Sequence, residues 1–313
     1  MMIRPANKTE LAGFLRAANE RRTRIGGVDL GAMNRILQHT PEDMTVTVES
    51  GVTLAELQAT LARRGQWLPI DPPNPERLTI ASLLAGNLSG PRRLGFGTIR
   101  DHLIGLEVAL ADGRLIHSGG KVVKNVAGYD LLKLFIGARG TLGVIVEATF
   151  KLLPRPETEH FVSVRSPSLE DCRRVIDSVL ESEVTPSVLD CHDVGVGREG
   201  VFVVLGFSGT YAEVDWQLSQ AAPLGFGESC MLDHQRVFWD QALPPAHRLS
   251  VLPSRVTEAI RELDGVEFVA RAGNGVIYHR GAPPSPGSSV PAKLIQRVKN
   301  TFDPHHILPD FSA

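Results

Sequence analysis

Glycines and arginines are concentrated between Gly90 and Gly105, where the chain reads Gly-Pro-Arg-Arg-Leu-Gly-Phe-Gly-Thr-Ile-Arg-Asp-His-Leu-Ile-Gly. Glycines let backbone amides approach a ligand closely, and arginines neutralise anionic groups. The pattern therefore predicts a loop that holds a phosphorylated or anionic cofactor. Arg92 and Arg93 could pair with a phosphate, a substrate carboxylate or a partner surface, and solvated arginines are the ordinary alternative.

Two other glycine-rich segments could present backbone amides to an anion. Gly26-Gly27 follows a predicted short strand at 23–25, and a glycine loop after a strand can bind a pyrophosphate. The segment from Gly137 to Ile145 looks like a dinucleotide fingerprint, but its strand follows the glycines and its spacing differs. The segment 79–88 reads as an ordinary helix of small residues. Taken singly, each of these signals is weak.

The surrounding pattern predicts two α+β units. The first contains a helix that begins near Asn7, a half-buried strand at 44–49, a Thr53–Glu56 capping box and a hairpin across Asp112-Gly113. The prolines at 154–156 mark a boundary, and a separate set of strands and helices follows. We therefore predict domains at 1–156 and 157–313, with an amphipathic helix at 292–302.

Composition narrows the classes of function. The 313 residues carry a formal net charge of −2, without a basic block, so nucleic acid is not expected as a partner. The three cysteines lie far apart, which predicts no disulfide. No signal peptide and no apolar run of about 20 residues is present, so we expect a cytoplasmic protein without a membrane span. No metal site is predicted, because ligand spacing is lacking at His192, His234, His247, His279, His305 and His306.

The order of several motifs resembles a known family. These motifs are Thr79 to Gly90, Gly90 to Gly105, Lys124-Asn-Val-Ala-Gly-Tyr-Asp130 and Gly137 to Ile145. Together they resemble the FAD-binding domain of the vanillyl-alcohol-oxidase (PCMH) type and, within it, the FAD-binding E subunits of bacterial glycolate oxidases. The resemblance implies an FAD-binding domain of two subdomains with a smaller α+β cap domain. It also implies that the C-terminal tail returns to the flavin domain.

The resemblance also implies where FAD would bind. The residues that correspond to its contacts are Gly26, Gly27, Pro72, Thr79, Ala81, Ser82, Gly86, Gly90, Arg92, Gly95, Gly97, Thr98, Asp101, Gly140, Gly143, Val144 and Ile145. The first glycine loop is shorter than in the family, and Ala81-Ser82 replace two glycines of the second loop. FAD is therefore expected to be held weakly, or lost, in the isolated chain. We also expect the segments 86–98 and 140–145 to face one cleft.

The function implied is that of an FAD-binding subunit of a glycolate-oxidase-like complex. Electrons from a 2-hydroxy acid would pass through the flavin to a catalytic flavoprotein paralogue and an iron–sulfur subunit, which could hold the complex at the inner membrane. The histidine-rich segment of the family's catalytic subunits is not matched, since Ala272 to Ile277 lacks the histidines, and no catalytic residue is assigned. The alternatives are a flavin-less accessory subunit that scaffolds its paralogue and a self-contained flavin oxidase.

Overall fold

The fold was analysed in a computed structural model, which describes residues 2–120, 131–194, 200–240, 246–282 and 292–311. Two units follow one another along the chain, each built on its own antiparallel sheet. The predicted motif at 124–130 and the proline-rich segment at 283–291 lie outside the described residues.

The first unit alternates short helices with strands. Its elements are β1 (Met2–Ile3), α1 (Lys8–Arg21), β2 (Gly27–Val28), β3 (Ile36–Thr40), β4 (Thr45–Glu49), α2 (Leu54–Ala62), β5 (Gln66–Trp67), α3 (Ile80–Gly86), α4 (Arg93–Phe96), α5 (Ile99–His102), β6 (Leu103–Ala109), β7 (Leu115–Gly119), α6 (Leu132–Phe135), β8 (Val144–Lys151) and β9 (Leu153–Pro154). A five-stranded antiparallel sheet has the order β3-β4-β8-β6-β7, and β1 pairs with β2 in parallel.

The second unit is a larger sheet with helices packed on it. Its elements are β10 (Thr158–Ser166), α7 (Leu169–Leu180), β11 (Val188–His192), β12 (Val201–Gly209), α8 (Tyr211–Ala221), β13 (Glu228–Ser229), α9 (Asp233–Asp240), β14 (His247–Ser250), α10 (Val256–Glu262), β15 (Phe268–Arg271) and β16 (Val276–His279). One more helix, α11 (Ala292–Phe302), follows these elements in the chain. The seven strands have the order β13-β10-β12-β11-β15-β16-β14, with antiparallel pairing throughout.

Local sequence fixes where several helices begin. Thr53 and Glu56 form the predicted capping box of α2, because each side chain bonds the other residue's backbone amide. A second capping box, Thr98 with Asp101, starts α5. Hydrogen bonds from the Thr98 amide and hydroxyl hold the pKa of Asp101 below its usual value, although burial opposes this. Asp101 therefore shapes the backbone of its own loop.

Apolar side chains divide into separate cores. Val46, Leu57 and Phe150 belong to the core of the first unit, and Leu189, Val203 and Phe207 to the core of the second. The C-terminal helix α11 belongs to the first unit by its contacts, since Val298 and Phe302 pack against that unit's core. The three cysteines, all among the described residues, form no disulfide.

The strand predicted at 23–25 is displaced along the chain. The structure places β2 at Gly27–Val28, where it pairs with β1, while the amide of Ile25 donates to the carbonyl of Ile307 at 2.7 Å. The tail therefore supplies the hydrogen-bond acceptor for the amide of Ile25. This pairing links residues 282 positions apart, and a local pattern cannot predict it.

Candidate functional site

A cavity of about 270 Å³ lies in the first unit, between the start of α3, the loop before β8 and the C-terminal tail. It brings together seven of the residues predicted to contact the cofactor: Gly27, Ala81, Ser82, Gly140, Gly143, Val144 and Ile145. Sequence reasoning missed the other lining residues, which are Ile25, Val28, Leu30, Ala85, Phe135, Arg139, Leu308 and Pro309. We call this cavity the nucleotide pocket.

The loop at 137–140 contributes to the pocket an accessible backbone at Gly140 and the positively charged side chain of Arg139. Gly140 has φ +74°, and nothing lies within 4 Å of the position that a Cβ would take, so a ligand can approach its backbone. Arg139, with φ 51°, exposes its side chain at the pocket. The amides of Gly137 and Arg139 donate to the carbonyls of Leu84 and Ala85 at 2.9 and 3.0 Å, which fixes the loop on the end of α3.

Ala81 and Ser82 lie at the start of α3, opposite that loop. Their amides already have acceptors, since the Ala81 amide donates to the Ser50 carbonyl at 2.8 Å and the Ser82 amide to the Thr79 hydroxyl at 3.2 Å. Thr79 acts as the helix cap. The Ser82 hydroxyl accepts from Thr79 but keeps its own proton as a donor at the pocket. The second loop therefore offers the Ser82 hydroxyl to a ligand, while the amides of the two residues that replace the family's glycines are engaged within the chain.

The C-terminal tail closes one side of the nucleotide pocket. Lys299 is buried and donates to the Thr141 and Pro309 carbonyls at 2.8 and 2.9 Å and to the Asp303 carboxylate at 2.6 Å. Asp303 in turn accepts from the amides of Ile307 and Leu308 at 3.0 and 2.9 Å. This buried network, which we call the tail clasp, joins α11 to both Thr141 and the wall at 308–309. The sequence contained one signal for this network: Lys299 stands four residues before Asp303, the spacing at which two side chains meet on one side of a helix.

Arg92 lies elsewhere, in the contact between the two units. Its guanidinium bonds Asp71 at 2.8 Å and Glu159 of β10 at 2.8 Å, and it stacks 5.5 Å from the centre of the Phe161 ring. Burial raises the pKa of Asp71 to about 6, although Arg92 opposes this. Burial also works against the charge of Glu159, but Arg92 holds the pKa of Glu159 below its usual value. Both carboxylates are thus bound to one guanidinium.

The expectation that 86–98 and 140–145 face one cleft is not met. None of residues 86–98, all of them described, lines the nucleotide pocket. Pro72, Pro91 and Arg92 line a second cavity of about 370 Å³ beside α9. Contacts with Asp71 hold this part of the segment away from the nucleotide pocket. The Asp71 carboxylate accepts a hydrogen bond from the Arg92 amide, and a Cβ on Gly90 would stand only 1.9 Å from the Asp71 carbonyl oxygen.

The remaining predicted residues lie outside the nucleotide pocket. Gly86 is the last residue of α3, and Gly26 is exposed next to β2. Gly95 packs against Ser187 of the second unit, where a Cβ would come within 2.7 Å of a backbone atom. Gly97 has φ +81° and faces the Asp101 carboxylate. These glycines are required by close packing and by a turn.

The histidines form no metal centre among the described residues, where no group of three or more possible ligands occurs. Buried His192 and His234 stack with their ring centres 4.3 Å apart, and His234 bonds Asp190 at 3.1 Å. They belong to the buried polar face of the second sheet. In the described ranges, no helix is long and apolar enough to cross a bilayer.

The residues of the nucleotide pocket fit part of a dinucleotide. Open backbone at Gly140, the Ser82 hydroxyl and the Arg139 guanidinium suit a phosphate group, while Val28, Leu30 and Ile145 form apolar walls. The volume lies just below the range of about 300–1,000 Å³ that is usual for ligand pockets. The pocket in this form therefore suits one end of the cofactor better than the whole of it.

Comparison with known families gives the class of protein. A family profile described as an FAD binding domain matches residues 26–119. A solved structure of alkyldihydroxyacetonephosphate synthase superposes with a TM-score of 0.72 at 17% identity, covering 98% of this chain and 76% of that one. Residues 26–119 thus match an FAD binding domain, which supports FAD as the cofactor, and the chain shares the mixed α+β fold of the synthase structure.

Several curated relatives are similar over part of their length. Glycolate oxidase subunit GlcD of Bacillus subtilis (strain 168) is 34% identical over 211 residues, which is 61% of this chain and 45% of that protein. D-lactate dehydrogenase of Archaeoglobus fulgidus is 34% identical over 197 residues, 57% of this chain and 44% of that one. Glycolate oxidase subunit GlcE of Escherichia coli (strain K12) is 38% identical over 130 residues, 41% and 37% of the two chains. The chain thus spans less than half the length of these relatives.

Proposed function

We propose that the chain is the FAD-binding subunit of a flavoprotein that oxidises 2-hydroxy acids, and that its electrons leave through a partner subunit. The observation that carries the proposal is the convergence of Gly27 and Ser82, which lie in the matched range 26–119, with the 140–145 segment on one pocket. The similarity to glycolate oxidase subunits and to a D-lactate dehydrogenase supports a 2-hydroxy acid as the substrate class.

The chain's own residues would bind and orient the cofactor. Ser82 and Arg139 would hold the phosphates, and the backbone at Gly140 would allow close approach. Val28, Leu30, Val144 and Ile145 would exclude water from the apolar side of the pocket. When bound, the flavin supplies a two-electron acceptor for the hydride of the substrate's C2 carbon. A paralogous flavoprotein and an iron–sulfur subunit would receive the electrons. These partners would also hold the complex at the inner membrane.

The experiment is an anaerobic reduction monitored by flavin absorbance. The full chain, saturated with FAD, is mixed with glycolate or D-lactate, alone and after co-purification with candidate flavoprotein and iron–sulfur subunits. Loss of the oxidised flavin band in the chain alone, or in the complex beyond the loss that the flavoprotein partner shows by itself, supports the proposal. A chain that remains without flavin in excess FAD, while its complex is active, would instead support the accessory-subunit alternative. Full turnover by the chain alone, with oxygen as acceptor, would support a self-contained oxidase.

A further inference from the structure

One face of the seven-stranded sheet carries unusual polar residues. Arg248 of β14 stands opposite Tyr278 of β16, Tyr278 stands opposite Val269 of β15, and Arg271 lies two residues further along β15. Residues directly opposite one another on antiparallel strands, and residues two apart on one strand, share a face. Arg248, Tyr278 and Arg271 therefore point the same way. The other face carries Cys191, Ala270 and Ile277, which belong to the unit's apolar core.

The short helix α4 of the first unit, which carries Arg93, packs beside the start of β11 and the turn after β15. The amide of Gly95 donates to the Ser187 carbonyl at 3.1 Å, and Leu94 packs against Gly273, just after Arg271. Arg93 is half-buried here. Burial lowers the pKa of Arg93, the like charges of Arg248 and Arg271 lower it further, and nearby Tyr278 and Asp101 oppose them.

Among the described residues, Arg271 alone of these three arginines has a carboxylate partner. Arg271 is bound to Asp190 at 2.6 Å and to Gln235 at 2.6 Å, and its Cζ lies 5.7 Å from the centre of the Tyr278 ring. Arg93 reaches only the Ser89 hydroxyl, at 3.1 Å, and its Nε is buried without a hydrogen-bond partner among the described residues. The Nε of Arg271 is also buried and has no hydrogen-bond partner among the described residues. A buried donor without an acceptor costs about 1–3 kcal/mol, so such groups call for a ligand.

The other acidic groups nearby are already engaged. Asp101 caps its own helix and accepts from Thr98. Asp71, whose charge also acts on Arg271, is bound to Arg92. The three arginines differ in burial: Arg248 is exposed, Arg93 is half-buried and Arg271 is buried.

We propose that Arg93, Arg248 and Arg271, with Tyr278 between them, form a binding site for the carboxylate of a small organic acid at the contact between the two units. This inference rests on the proposed function, because the acid would be the 2-hydroxy acid substrate. A planar guanidinium pairs with a carboxylate through two parallel hydrogen bonds, and Arg93 has an unpaired Nε to begin such a pair. None of these four residues belongs to the lining of the nucleotide pocket.

Calorimetric titration of the full chain, saturated with FAD, tests the site without requiring turnover. The probes are glycolate, its uncharged analogue glycolamide, and inorganic phosphate. The variant is Arg93→Gln, and the matched control is Arg64→Gln, an exposed arginine in the turn after α2. We expect glycolate to bind, glycolamide not to bind, and the Arg93→Gln change to weaken glycolate binding at least about tenfold, as for the loss of one charge-assisted hydrogen bond. Arg248→Gln should have a smaller effect, because that side chain is exposed.

Three results would overturn the assignment: glycolate that does not bind, binding that Arg93→Gln leaves unchanged, or binding that both variants weaken equally. Phosphate that binds in an Arg93-dependent manner while glycolate does not would show that the site takes a phosphoryl group. The outcome is separable from that of the proposed function. Arg93-dependent glycolate binding without flavin reduction would support the carboxylate site and contradict the proposed oxidation. Flavin reduction that is insensitive to Arg93→Gln would support the oxidation and contradict the carboxylate site.

Discussion

Lys299 donates to the backbone carbonyl of Thr141 at 2.8 Å, across 158 residues of sequence, and both residues are buried. This bond joins the C-terminal helix to the loop that forms one wall of the nucleotide pocket. The same ammonium group also bonds Asp303 and the carbonyl of Pro309, which lines the pocket. The walls of the pocket formed by the 139–145 loop and by the tail at 308–309 are therefore held together by one lysine.

Lys299→Met should destabilise the chain and reduce its FAD content. Removing one partner of a buried ion pair leaves the other charged and uncompensated, which typically costs about 3–5 kcal/mol. Urea unfolding gives the free energy, and flavin absorbance after gel filtration gives the FAD content. Lys293→Met is the control, because Lys293 is exposed on the same helix and should change neither quantity. Equal FAD content in both variants would mean that the tail clasp does not support the pocket.

Gly140→Ala should reduce FAD binding beyond its effect on stability. Its positive φ of +74° makes alanine unfavourable by about 1 kcal/mol, and the new methyl group would project toward the pocket. Gly65→Ala is a close match, since Gly65 has φ +65° and equally open surroundings but does not line the pocket. Thermal unfolding should show similar losses for the two variants, and only Gly140→Ala should lower the FAD affinity measured by fluorescence titration. A parallel fall in FAD affinity for Gly65→Ala would attribute the effect to general destabilisation.

The isolated chain should lose FAD on dialysis. The Ala81 and Ser82 amides are engaged by Ser50 and Thr79, and the pocket is small for a whole dinucleotide. Each missing charge-assisted hydrogen bond weakens binding by about 1.5–3 kcal/mol, or one to two decades in Kd. The ratio of flavin absorbance to protein absorbance should therefore fall well below one FAD per chain. A preparation that keeps one FAD per chain after extensive dialysis would contradict this expectation.

Arg92→Gln should lower stability while leaving FAD binding unchanged. The guanidinium is only 17% exposed and joins Asp71 of the first unit to Glu159 of the second. Loss of these charge-assisted bonds should cost about 1.5–3 kcal/mol. A double-mutant cycle with Glu159→Gln, followed by urea unfolding, measures the coupling across the contact. A variant with native stability and reduced FAD content would place Arg92 at the cofactor instead.

Stability should carry a pH dependence from Asp71. Its pKa rises from 3.8 to about 6 on folding because of burial, so the folded chain holds this proton more tightly than the unfolded chain. The contribution of Asp71 is therefore fully present below about pH 4 and is lost as the pH rises through about 6. Urea unfolding from pH 4 to 7 should show a smaller loss of stability with pH in Asp71→Asn than in the native chain. Asp193, with its pKa also raised by burial to about 6, should keep the same sign of dependence in the variant. Identical pH profiles for the two proteins would rule out a raised pKa at Asp71.

The sequence alone determined the local features, because these depend on neighbours within a few residues. The Thr53–Glu56 capping box and the strand after Gly143 are read from short patterns, and the structure contains both. The order of glycine-rich motifs indicated an FAD binding domain in a mixed α+β fold, which the family profile over residues 26–119 and the fold comparison confirm. Seven of the expected contact residues also meet in one pocket.

Only the tertiary structure decided which charged groups meet. Arg92 and Arg93 are adjacent in sequence and chemically alike, yet Arg92 is paired with Asp71 and Glu159, while burial and the like charges of Arg248 and Arg271 lower the pKa of Arg93. Lys299 reaches Thr141 only because α11 folds back onto the first unit. Such pairings depend on chain segments that are distant in sequence, and the electrostatic energy of a charged side chain is set by the partners and the burial that those segments provide.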